Sequence, residues 1–225
     1  MSNTFLFMIF PYIALLIAII VGVYRYAIDR YSYSSFSSQF LEKQQLFWGS
    51  IHFHYGIIFI LTAHIVAALF PSFWRKLLGT SFRLYFLEIT GFILGLFVIA
   101  GLVILMYRRI QNAKVRTVTT PFDWLLLIVL LLQAISGVYI ALFYRWGGAW
   151  YVNIAVPWLK SLVELNPQLS HIQSLPWMVK FHVANAFIVL IIFPFTRLVH
   201  FISLPLGYLW RPPQVVIWNM KKDKK

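Results

Sequence analysis

Five stretches of nearly continuous apolar side chains, each of about 20 residues or more, alternate with short segments that hold most of the charge. An α-helix of that length rises about 30 Å, the thickness of the hydrocarbon core of a bilayer, so each stretch predicts a membrane-spanning helix. The expected spans are 5–24, 49–70, 84–106, 122–143 and 178–202, with a basic cytoplasmic tail over 203–225. The first run starts close to Met1, with no basic segment before it and no small-residue cleavage pattern, and is expected to be a retained span. The predicted fold is all-α: one integral membrane domain over 1–225, built as a bundle of five transmembrane helices.

Composition agrees with this pattern. Of the 225 residues, 61% are hydrophobic and 11% charged, well beyond a soluble domain. Cysteine is absent, which excludes disulfides, thiolate-held zinc and any iron–sulfur cluster carried by this chain alone. The net charge of +13 does not read as nucleic-acid binding, because the basic residues are spread over the segments that flank the spans. They are uneven in another way. Thirteen of the 19 lie after the first span, after the third and near the end of the chain, on one side of the expected bundle. The positive-inside rule then places the amino terminus outside and the carboxyl terminus in the cytoplasm.

Chemistry enters with four histidines, His54 and His64 in the second span and His182 and His200 in the last. An imidazole in hydrocarbon needs a partner to offset its desolvation, and two pairs on two helices point to something held between them. Haem iron, ligated from both faces, is the economical choice. Antiparallel spans pair His64 with His182 near the outer side and His54 with His200 near the inner side. Ten residues on the second span rise about 15 Å, whereas eighteen on the last rise about 27 Å, a mismatch that Pro194 is expected to relieve by kinking or tilting the helix. The competing reading makes each histidine an interhelical hydrogen-bonder. A proton relay fits less well, since the spans offer only Glu88 and Asp123, each near an end. His52 and His171 pair with nothing.

Three segments, FHYGIIFILTAH from Phe53, RRIQNAKVRTVTTPFD from Arg108 and KFHVANAFIVLIIFPFTRLVHFISLP from Lys180, resemble the gamma subunit of respiratory nitrate reductase, a membrane dihaem cytochrome b. FPYI at Phe10, YRY at Tyr24 and SSQFLEK at Ser37 are similar to it as well. The resemblance implies two haem b groups, with His64 and His182 as ligands of the outer one and His54 and His200 of the inner one. It implies oxidation of menaquinol or ubiquinol near the outer haem, and electron transfer to an iron–sulfur beta subunit and a molybdenum alpha subunit. It also implies a multi-pass location in the cytoplasmic membrane of a prokaryote. Arg83 falls closest to a basic residue of the family's quinol site, and a charge facing lipid headgroups explains it equally well. Arg109, Arg116 and Arg197 suit haem propionates, or simply the positive-inside rule.

Other readings stay open here. A related cytochrome b could serve another cytoplasmic reductase or a nitrite oxidoreductase running in reverse, and a haem-free transport or assembly protein could use its histidines structurally. The tryptophan- and proline-rich connection 144–180 reads either as a segment lying at the headgroup level or as a lid over an outward-facing pocket. The tail reads either as a dock for a cytoplasmic partner or as an anchor to anionic lipid.

Overall fold

The computed structural model describes residues 3–33, 38–202 and 210. Apart from Trp210, the tail 203–225 lies outside the described residues. Five helices are long and apolar enough to cross a membrane: α1 (Phe5–Ile28), α2 (Gln44–Leu69), α4 (Ser81–Gln111), α6 (Pro121–Phe143) and α10 (Trp177–Ile192, prolonged by a 3₁₀ turn to Phe195). Between them stand α3 (Pro71–Leu77), α5 (Ala113–Thr117), α7 (Gly147–Trp150), α8 (Val156–Val163) and α9 (Ser170–Gln173). Among the described residues there is no strand.

Local chemistry sets the helix ends. Glu42 accepts from the backbone N–H groups of Gln45 (2.7 Å) and Leu46 (3.2 Å) and so closes the start of α2. Thr120 and Asp123 form a reciprocal capping box at the start of α6, with Pro121 in the first turn where it needs no donor. Pro194 does the opposite at the end of α10. It cannot donate to the preceding turn, and the α-helix gives way to the 3₁₀ turns Phe193–Phe195 and Arg197–Phe201, separated by an extended Thr196. His182 and His200 therefore do not share one straight helix, so the 27 Å rise between them does not apply. Arg25 of α1 takes up the freed carbonyls, donating from Nη1 to Pro194 O (2.6 Å) and Thr196 O (3.4 Å).

The spanning helices pack in the sequence α2, α4, α6, α10, α1, and the α2–α4 pair is the most intimate. Glycine permits that approach: a Cβ on Gly101 would lie 2.5 Å from Phe53 N and 2.7 Å from Gly49 O, and one on Gly56 2.9 Å from Leu94 O. Outward faces carry exposed Ile20, Val23, Ile58 and Phe59, as expected for side chains that meet lipid.

The two ends of the bundle differ. One is basic. Arg108, fully buried, binds Glu42 Oε2 through Nε at 2.5 Å and also reaches Ser38 Oγ, Ser38 O and Glu42 O. The opposite end is covered by the connection 144–176, which forms a cap rather than a loose surface strand. Trp158, Leu162, Ile172 and Leu175 pack there with Phe7 of α1, Ile140 of α6 and Val179 of α10 into the largest buried apolar cluster. The tryptophans of the connection divide accordingly: Trp158 is buried and donates its indole N–H to Phe7 O at 3.1 Å, while Trp146 and Trp177 remain exposed.

Candidate functional site

The helices that carry the four histidines share no extensive contact, because α2 leans on α4 while α10 leans on α6 and α1. The histidine surfaces record the resulting gap. His64 is exposed, and His54, His182 and His200 each keep part of their surface open.

At the basic end, His54 and His200 face one another with ring centroids 6.1 Å apart and planes inclined by 68°. Each ring is steered through Nδ1, His54 toward Ser50 O (2.8 Å) and Ser50 Oγ (3.0 Å), and His200 toward Arg197 O (2.5 Å). A carbonyl only accepts, so Nδ1 holds the proton and Nε2 keeps a lone pair for a metal. Two imidazoles ligating one metal from opposite faces, each through a nitrogen about 2 Å away, put their ring centres ~6 Å apart. The 6.1 Å centroid separation matches that spacing.

At the capped end the two histidines lie near enough to interact electrostatically, but their surroundings differ. His64 Nδ1 donates to Ile60 O at 2.8 Å, the arrangement seen in His54. His182 is held instead by α6. Its Nδ1 lies 2.9 Å from Ser136 Oγ, whose hydroxyl donates to Gln133 O at 3.0 Å, and Gln133 Nε2 stands 3.1 Å from His182 Nε2. Gln133 Oε1 in turn accepts from Asn185 Nδ2 at 2.7 Å. Gly137 leaves room for this ring, since a Cβ there would sit 3.1 Å from His182 Cε1.

Tyr151, on the turn between α7 and α8, covers His64. Its hydroxyl donates to His64 O at 3.2 Å, and the two rings lie 5.0 Å apart between centroids. Burial pushes the Tyr151 phenol above its ordinary value, so the group stays a neutral donor.

Charged residues bracket the basic end. Arg197 grips Asp123, from Nε to Oδ1 at 2.6 Å and from Nη2 to Oδ2 at 3.1 Å. Arg109 offers a buried Nε with no partner, as does the Oε1 of Gln45, while Arg116 is exposed. At the capped end Arg83 is exposed and closes the end of α3 by donating to Leu77 O (2.8 Å) and Lys76 O (3.1 Å). His52 turns to Trp48 O and the rings of Trp48 and Phe97, away from the histidine pairs.

The paired histidines, the glycine-tight α2–α4 contact and the proline break in α10 can be set beside known proteins. The family model described as nitrate reductase gamma subunit matches residues 3–219. The chain belongs to the nitrate reductase gamma subunit family. It is 39% identical over 215 residues to the nitrate reductase gamma chain of Bacillus subtilis, covering 94% of this chain and 96% of that one. Against the respiratory nitrate reductase 1 gamma chain of Escherichia coli it is 30% identical over 218 residues, 95% and 96% of the two chains. The nitrate reductase-like protein NarX of Mycobacterium tuberculosis is 29% identical over 218 residues, and the match spans 33% of its length. Family membership makes the protein a subunit of a respiratory nitrate reductase complex, an oxidoreductase, and agrees with the multi-pass helices.

Several residues around the site were not singled out from the sequence. Gln133, Ser136 and Asn185 carried a signal, being polar positions in otherwise apolar runs. Tyr151 carried none, since a tyrosine in an aromatic-rich connection is unremarkable until the chain folds back.

Proposed function

We propose that this chain is the dihaem cytochrome b subunit of a respiratory nitrate reductase, holding one haem b between His54 and His200 and another between His64 and His182. The observation that carries this reading is the 6.1 Å apposition of His54 and His200, with both Nδ1 atoms held by backbone carbonyls. Among the described residues no three of His, Cys, Asp and Glu gather as a metal site, and axial ligation of a porphyrin iron asks for only two protein ligands. A bound haem supplies a one-electron carrier at each level.

The chain's own residues do the rest. Backbone carbonyls orient the imidazoles of His54, His64 and His200, Ser136 Oγ faces Nδ1 of His182, and α4 and α6 stand between the segments that carry the histidines. Arg109, with its buried unpartnered Nε, is the basic side chain suited to a propionate at the basic end, since Arg197 is already bidentate on Asp123. With the basic end in the cytoplasm and the capped end outside, quinol, menaquinol or ubiquinol, enters from the bilayer near His64 and His182. Arg83, fixed at the end of α3 on that side, supplies positive charge at the mouth. Oxidation of the quinol to quinone would release its two hydroxyl protons outward and pass its two electrons inward, so the reaction separates charge across the cytoplasmic membrane of a prokaryote. The acceptors are the iron–sulfur beta subunit and the molybdenum alpha subunit, which the lack of cysteine here requires of partners.

Two haems b per chain are expected by pyridine haemochrome assay of the purified complex. His64→Ala or His182→Ala is expected to remove one of them. Haem content unchanged by either substitution contradicts the assignment.

A further inference from the structure

The polar group of α4 nearest the capped end that the reading above leaves unused is Glu88. It sits two turns into the helix, half-buried, and its Oε1 accepts the backbone N–H of Gly148 at 2.7 Å. Nothing in the sequence pattern suggests that contact, since the two residues are 60 positions apart. A carboxylate this far inside an apolar helix costs desolvation, which a charge-assisted bond to a backbone amide offsets.

The bond secures the cap at a demanding turn. Trp146, just before α7, adopts φ 68°, a left-handed conformation that a bulky side chain takes only when its surroundings impose it. The Trp146 ring lies 5.2 Å from that of Tyr85, one turn from Glu88 on the same helix. A side chain at Gly148 would crowd the carboxylate, since a Cβ there would stand 3.2 Å from Glu88 Oε1 and 3.6 Å from Leu78. Three residues further on, Tyr151 reaches His64. The path from α4 to the capped-end histidine thus runs Glu88, Gly148, Tyr151, His64.

We infer that Glu88 is a positioning residue for the quinol site, acting through Gly148 and Tyr151 to hold the cap over His64. The cap is then ordered before quinol arrives, and the cost of ordering it is not drawn from the binding of the substrate. This rests on the reading of His64 as a ligand of the outer haem.

The test uses native membranes containing the whole complex, with tetramethylhydroquinone as donor and the rate of b-haem reduction as readout. Glu88→Ala is expected to raise the KM for the quinol about fivefold, the effect of one lost net hydrogen bond, with kcat changed less than twofold. The electron paramagnetic resonance signal of the outer haem should shift while that of the inner haem does not. Glu88→Gln keeps an acceptor oxygen and should restore both values, and Tyr151→Phe should shift the same outer signal by less. An outer haem indifferent to Glu88→Ala, equal disturbance of both haems, or a Gln variant as impaired as the Ala one overturns the role of Glu88. A wild type with no outer haem overturns the reading beneath it, which separates the two failures.

Discussion

The two histidine pairs are made of the same residue, each joining α2 to the last membrane segment, at α10 for His182 and at the 3₁₀ turn beyond Pro194 for His200, yet they are supported differently. At the basic end both rings lean chiefly on the backbone, on Ser50 O and Arg197 O, with only Ser50 Oγ beside His54 as side-chain support. At the capped end one ring leans on the backbone and the other on a side-chain relay of Ser136, Gln133 and Asn185 from two helices, with Tyr151 folded over the top. Backbone support survives most substitutions, whereas side-chain support is adjustable residue by residue. The difference teaches that the basic-end pair is built for fixed geometry and the capped-end pair for tuning, as the quinol site proposed there would require.

The largest expected effect breaks the pairing itself. His54→Ala or His200→Ala should each remove the same single haem, and the double variant should lose no more than either alone. His54→Ala combined with His64→Ala should lose both haems. Haem counts that follow any other grouping separate the histidines differently from the structure.

Next in size is the foundation of the basic end. Glu42→Ala takes the carboxylate from the fully buried Arg108 guanidinium, which keeps Ser38 Oγ, Ser38 O and Glu42 O, and should cost about 1.5–3 kcal/mol, read as a lower unfolding midpoint of the detergent-solubilised protein. The same pair sets a pH dependence. Burial pushes the Glu42 carboxyl up, but hydrogen bonds from Gln45, Arg108 and Leu46 and the Arg108 charge outweigh it and hold the group below its ordinary 4.5. A depressed carboxylate contributes stability that is fully present above that ordinary value and is lost as pH falls through the lower folded value. Thermal stability should therefore fall on acidification below pH 4.5 in the wild type and less so in Glu42→Gln.

Gly101→Ala comes third. The added methyl meets Phe53 N and Gly49 O, so α2 must move off α4, at a cost of ~1–3 kcal/mol. Because Phe53 adjoins His54, the spectrum of the inner haem should change more than that of the outer.

The smallest effect sharpens the comparison at the other end. Gln133→Leu removes the amide beside the His182 ring, which stands 3.1 Å from the Nε2 that an iron would take and would turn aside when haem is bound, a change of about 1 kcal/mol. The midpoint potential of the outer haem should move while the inner one stays. A shift confined to the inner haem contradicts the assignment of the relay.

Much of the bundle was legible in the hydropathy pattern, because membrane spans are set by a length and a composition that a sequence displays directly. Starts and ends were less so. The expected second span began at 49, five residues later than Gln44, since the capping by Glu42 depends on a folded loop. The last span was expected to reach 202, and Pro194 marked the place where it breaks without revealing that Arg25 would satisfy the broken end. Depth in the spans led to His54 being expected beside His200, and their rings do lie 6.1 Å apart between centroids. The supports of the histidines could not be read in this way, because Ser136 and Tyr151 lie 46 and 87 residues from the histidines they touch. The division of the connection 144–176 into buried and exposed tryptophans was also hidden, as it rests on Phe7 at the far end of the chain.

The most direct measurement is an experimental density map of the complex with its cofactors retained. The account predicts two macrocycles between α2 and the broken α10, one with iron between His54 and His200 and one with iron between His64 and His182. Density showing α2 and α10 in contact along their length, or any of the four imidazoles turned to lipid, would contradict it.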